Sequence, residues 1–124
     1  MNITTFNPLI LTSKADENIK LFEDLGFEKR HAPSVDLGNG NVVTCTRMKN
    51  ANGLYVDIAD IKTMPQDMTI MRMNVDDFDE AYDIMTKNGF KASREKPIET
   101  ETNKSIGMKS PTGIMFDLCQ HIKE

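Results

Sequence analysis

The sequence predicts an α+β chain, two tandem β-α-β-β-β modules forming one open, curved mixed sheet with helices on its convex face. Three observations predict it. A helix-like segment closed by Gly-Phe occurs twice, as Gly26-Phe27 and as Gly89-Phe90, 63 residues apart. An aspartate four residues after a glycine occurs in each half, Asp57 after Gly53 and Asp117 after Gly113. Strand-like runs exceed what a ferredoxin-like β-α-β-β-α-β unit would need after each helix. Neither half could bury a sheet face alone, so the two are expected to pair side by side.

The elements follow in order. "TTFNPLIL" is a short extended run. "SKADENIKLFEDLGF" is a helix, with Ser13 and Asp16 spaced as a capping box. Ile19, Leu21, Phe22 and Leu25 are assigned to its apolar face, and Gly26 ends it. Three strands follow, split by turn signals at Gly38-Asn39-Gly40-Asn41 and at Asn50-Ala51-Asn52-Gly53. Residues 62–67, around Pro65, form a linker. The order then repeats. "MTIMRMNV" is a strand, and "DDFDEAYDIMTKNGF" is a helix capped by Asp77, with Ala81, Ile84 and Met85 on one face. Glu95–Lys104 is a charged loop or edge hairpin, and Ser110-Pro111-Thr112-Gly113 is a turn. One domain, residues 1–124, is thus expected, made of modules at about 3–61 and 68–122.

Composition narrows the function classes. A formal net charge of −4, with Lys and Arg scattered, excludes a nucleic-acid binder as the expectation. No apolar run approaches the roughly 20 residues of a membrane span. The N-terminal "MNITTFNPLIL" lacks the pattern of a secretory signal. Cys45 and Cys119 have no CxxC spacing and read as reduced thiols of a cytoplasmic protein.

Alternation assigns the strand faces, because successive side chains point to opposite sides. Met71, Met73 and Val75 form one face of their strand; Leu54, Val56 and Ile58, and Ile114, Phe116 and Leu118, do the same in theirs. These faces suit packing under a helix. The opposite faces carry Tyr55, Asp57, Arg72, Asn74, Met115, Asp117 and Cys119. A carboxylate in an apolar strand must be paired, hydrogen-bonded or solvated. Asp57 and Asp117 are therefore expected on the second face, aimed into a cavity.

The tandem layout, "FEDLGF" closing the first helix and "GIMFDL" on the last strand, resembles the vicinal oxygen chelate superfamily. That superfamily includes glyoxalase I, bleomycin-resistance proteins, extradiol dioxygenases and fosfomycin-resistance enzymes. The likeness runs from about Phe6 to Ile122. It implies a curved sheet, often completed by a dimer partner, with the site on the concave face. In the metal-dependent isomerases one ligand sits early in each module's first strand and another four residues after the glycine of its last strand. Carried over, these positions are Asn7 and Ile70, and Asp57 and Asp117. Ile70 cannot ligate, and Asn7 is a weak ligand for Zn, Ni or Fe. His31 and His121 lie elsewhere. No bound metal and no cofactor are therefore expected.

The resemblance and the faces together propose a ligand site of Asn7, Tyr55, Asp57, Arg72, Asn74, Met115 and Asp117. Arg72 either binds an anionic ligand group or neutralises the aspartates. Tyr55 and Met115 would be apolar wall. The expected function is metal-independent binding of a small molecule, of the bleomycin-resistance type, in a homodimer. Two alternatives stay open: a lyase or isomerase of the glyoxalase type with a reduced metal site, and a non-catalytic dimerisation module. The two aspartates would suit a cationic ligand unless Arg72 cancels them.

Overall fold

The computed structural model describes residues 1–36 and 40–121. The Gly38-Asn39 part of the expected hairpin and Ile122 lie outside the described residues. Within these, the order is β1 (Ile3–Thr12), α1 (Ala15–Asp24), β2 (Glu28–His31), β3 (Ser34–Asp36), β4 (Val42–Lys49) and β5 (Tyr55–Asp60). Then come β6 (Met68–Val75), α2 (Phe78–Lys87), β7 (Lys91–Ala92), β8 (Ile98–Glu99), β9 (Asn103–Lys109) and β10 (Met115–His121). The architecture is α+β, with two helices and a ten-stranded mixed sheet among the described residues.

Each helix is followed by four strand segments rather than three. The extra piece is a strand broken in two. β2 and β3 both pair antiparallel with β4, interrupted around Pro33, whose ring has no N–H to donate. β7 and β8 both pair with β9, interrupted before Pro97. The charged stretch 95–104 is thus an edge hairpin, closed by the Thr100 N–H donating to the Asn103 carbonyl at 2.8 Å.

The chain divides into two compact units. The α1 unit is Asn7–Thr69. In it β4 pairs antiparallel with β5, and β5 pairs in parallel with residues 9–12 of β1. Ala15, Met48, Val56 and Ile58 are buried together, with Ile10, Ile19, Phe22 and Phe27 packed against them. The α2 unit is Met1–Phe6 with the chain from Ile70 onward. In it β10 lies between β6, in parallel, and β9, antiparallel. Its core is Met73, Val75, Phe78, Ala81, Met85, Ile106, Met108 and Leu118.

Both helices end alike. Gly26 and Gly89 take positive φ, 101° and 88°. The next N–H then reaches back five residues, Phe27 to Phe22 at 2.8 Å and Phe90 to Met85 at 3.0 Å. They begin differently. Asp77 caps α2 by accepting from the Glu80 N–H at 3.1 Å. The capping box expected at Ser13 does not form. The N-cap of α1 is Lys14, with no side-chain cap. Thr12 substitutes one position earlier: its hydroxyl accepts from the Lys14 N–H at 2.9 Å and donates to Asp67 at 2.7 Å.

The apolar helix faces also need correction. Leu21 and Leu25 are 50% and 62% exposed, and Ile84 is 43% exposed. The stripe of α1 is Ala15, Ile19 and Phe22, which keeps a spacing of four then three; Leu21 lies two residues from Ile19, over half a turn away. In α2 the stripe is Phe78, Ala81 and Met85. Leu54 and Ile114, expected on buried strand faces, are exposed because β5 and β10 start one residue later.

Candidate functional site

In the α1 unit, Asn7, Arg47, Tyr55 and Asp57 project from the sheet face opposite α1. The parity follows from the core, since Ile10, Met48, Val56 and Ile58 occupy the helix side. The turn Asn50–Gly53 fixes the register. The Asn50 side chain accepts from the N–H groups of Asn52 and Leu54. The Asn50 N–H donates to the Leu54 carbonyl. Counting three residues outward on each strand brings Arg47 opposite Asp57.

Asp57 has no solvent exposure. Its Oδ2 accepts from Arg47 Nη1 at 2.9 Å and from Asn7 Nδ2 at 3.0 Å. The Arg47 guanidinium also lies over the Tyr55 ring, 3.9 Å from its centroid. A guanidinium between a carboxylate and an aromatic face is held on two sides, and Arg suits this because its flat ion stacks as well as donates.

In the α2 unit the corresponding face carries Arg72, Asn74, Met115, Asp117 and Cys119. Register sets Arg72 of β6 directly beside Asp117 of β10. Arg72 donates from Nε and from Nη2 to Asp117 Oδ2, each at 2.8 Å. The Cys119 thiol lies 3.3 Å from the same oxygen. This pair is less buried, with side chains 19% and 15% exposed. Asn74 donates to the Thr5 hydroxyl at 2.7 Å, tying β6 to the start of β1. Met115 is half-buried, opposite Lys109.

Within the α1 unit Asn7, Tyr55 and Asp57 thus gather around Arg47, and within the α2 unit Asp117 pairs with Arg72. Arg47 is absent from the sequence-derived set. The signal that finds it is the Asn50–Gly53 turn, because turn type and length fix which positions of the two flanking strands face each other. His31 and His121 are exposed at strand ends.

In the metal-dependent isomerases of the superfamily that the sequence resembles, a divalent metal would use the positions of Asp57 and Asp117. The residues present do not fit one. Each carboxylate already accepts from a guanidinium, so a positive charge stands within 2.9 Å of it. Asn7 turns its NH₂, a donor, toward Asp57, where a metal ligand would need an acceptor. Ile70 offers no donor atom. Among the described residues no three His, Cys, Asp or Glu side chains gather as a metal site.

Several solved structures share this fold. Methylmalonyl-CoA epimerase from Mycobacterium tuberculosis is similar at a TM-score of 0.74 with 11% identity, over 98% of this chain and 90% of that one. Streptomyces coelicolor methylmalonyl-CoA epimerase in complex with 2-nitronate-propionyl-CoA is similar at 0.69 with 14% identity, over 98% and 100% of the chains. A glyoxalase/bleomycin resistance protein/dioxygenase superfamily member from Vibrio splendidus 12B01 is similar at 0.60 with 17% identity, over 96% and 99%. The chain has the vicinal oxygen chelate fold. No protein-family model and no curated protein matches the sequence.

Proposed function

We propose that this chain binds a small molecule without a metal, in the manner of bleomycin-resistance proteins, as a cytoplasmic homodimer. One observation carries the reading: both last-strand carboxylates are neutralised by an arginine of their own unit. The charge a metal would supply is built into the chain. Each unit still keeps polar side chains on the face its helix leaves uncovered. On this reading Arg72, Met115 and Asp117 are the ligand-facing residues of the α2 unit; in the α1 unit Tyr55 serves as apolar wall and the buried Asn7–Arg47–Asp57 group fixes the local field. Asn74 holds the strand from which Arg72 projects. Cys45 and Cys119 as thiols suit a reducing compartment.

A second reading is an isomerase or lyase of the glyoxalase type. It is favoured by the fold shared with methylmalonyl-CoA epimerases.

A thermal-shift screen of the full chain separates the two. The probes are a bleomycin-type glycopeptide, glutathione thioesters and acyl-CoA thioesters, each with and without EDTA. The expected result is a saturable shift that EDTA leaves unchanged. Binding or turnover that appears only with added Zn, Ni, Mn or Fe overturns metal independence. Asp117→Asn is expected to weaken that binding. Unchanged affinity would remove Asp117 from the site.

A further inference from the structure

In the α2 unit two lysines face each other. Register puts Lys91 of β7 directly opposite Lys109 of β9. Like charges directly opposite destabilise a strand pair. Both side chains are exposed, and among the described residues neither takes part in an ion pair or hydrogen bond.

The surroundings are those of a binding site. Lys91 and Lys109, with Gly89, Ser110 and Pro111, line a cavity of about 380 Å³. Met115 lies opposite Lys109 on its other side, so one row across the sheet reads Met115, Lys109, Lys91. In the adjacent row Asp117 faces Gly107. A Cβ at Gly107 would come 2.9 Å from the Ser93 hydroxyl, so the Ser93 side chain stands where a side chain at this position would be. Asp117 is already paired with Arg72. Beside that pair, the row of Met115, Lys109 and Lys91 offers a ligand two positive charges next to an apolar methionine.

We infer that the cavity between Lys91 and Lys109 seats an anionic group of the ligand, a carboxylate or phosphate oxyanion. The inference rests on the small-molecule reading above and reverses the cationic ligand that the two aspartates suggest in sequence. An oxyanion between the ammonium groups removes their mutual repulsion and accepts hydrogen bonds from both.

The test is a backbone NMR titration of the full chain at low ionic strength, where screening is weak. One arm uses inorganic phosphate and the other malonate. The expected result is saturable shifts at Lys91, Lys109 and Ser110 in at least one arm, and the tighter arm names the anion. Lys91→Gln and Lys109→Gln should each weaken binding about tenfold, roughly the loss of one charge-assisted hydrogen bond. Lys29→Gln removes the same charge from β2 and should change nothing. Shifts that do not saturate in either arm overturn the inference, as does an equal loss in Lys29→Gln. The variants also bear on the repulsion itself: each glutamine should raise Tm without anion, and a lowered Tm would make the lysines structural. Failure here leaves the thioester and glycopeptide screen untouched. Metal dependence there leaves the lysine pair untouched.

Discussion

The two units reach the same end by opposite neighbours. In the α1 unit the arginine that answers Asp57 comes from β4, the antiparallel neighbour, and the parallel neighbour offers Leu9. In the α2 unit the arginine that answers Asp117 comes from β6, the parallel neighbour, and the antiparallel neighbour offers Gly107. The aspartates occupy equivalent places, but the arginines do not. The difference teaches that equivalent carboxylates are answered through different registers, antiparallel in one unit and parallel in the other. Burial differs as well: Asp57 has no exposure, whereas the Asp117 side chain is 15% exposed.

The sharpest way to break this comparison is to remove each arginine. Arg47→Ala removes the guanidinium 2.9 Å from a fully buried carboxylate and should cost about 3–5 kcal/mol in chemical denaturation. Arg72→Ala should cost about 1–2 kcal/mol, because water reaches Asp117. Equal losses would mean that the difference in burial has no energetic weight. Arg47→Met combined with Asp57→Leu should recover most of the first loss, since well-packed apolar replacements of buried ion pairs are often neutral.

The helix ends give a smaller contrast. Gly26 and Gly89 share a left-handed backbone, which costs a side chain about 1 kcal/mol. A Cβ at Gly26 meets nothing within 4 Å, whereas one at Gly89 would lie 2.8 Å from Pro111 Cγ. Gly26→Ala should therefore cost about 1 kcal/mol and Gly89→Ala about 2 kcal/mol. Pro111→Ala should bring the two together.

The helix starts differ by a cap. Asp77→Ala should cost about 1 kcal/mol by removing the acceptor for Glu80. Lys14→Asp should stabilise α1 by about 0.5 kcal/mol, because that N-cap has no side-chain acceptor. Thermal melts of the two variants should move in opposite directions.

The smallest effect belongs to Asp76, an acid that the α1 unit replaces with Ser13. The backbone N–H of Asn2, then its side-chain amide, bond the carboxylate and hold its pKa below the ordinary value. The folded state therefore favours the charged form. Its contribution is fully present above the unfolded pKa of about 4 and disappears as pH falls through the lower folded value. NMR titration of Asp76 should give a midpoint below about 4, and Asp76→Asn should flatten the acid limb of stability against pH.

Much of the fold is legible in the sequence because local chemistry decides it. Gly26 and Gly89 stop helices, Asp77 starts one, and alternation places Val56, Ile58, Phe116 and Leu118 under helices. Arg72 as a partner for Asp117 is also readable, because both lie on the same face in repeated elements. Arg47 is harder, since finding it needs the register of a hairpin rather than the character of a strand. The cap of α1 is misread because Thr12 and Asp67, 55 residues apart, satisfy that end through a long-range contact. Leu21 and Ile84 are misread because hydrophobicity alone does not say which residues of a short helix face the core.

The chain's division into units bears on how the protein is made. The α1 unit is continuous, residues 7–69, whereas the α2 unit combines residues 1–6 with the chain from Ile70 onward. Synthesis proceeds from the N-terminus, and compact units form as their sequence becomes available. The α1 unit can close while later residues are still being added. The opening residues of β1 must wait for β6, whose Asn74 then bonds Thr5 and accepts from the Thr4 hydroxyl. Residues 4 and 5 of β1 thus take a partner made later in synthesis than the β5 partner of residues 9–12.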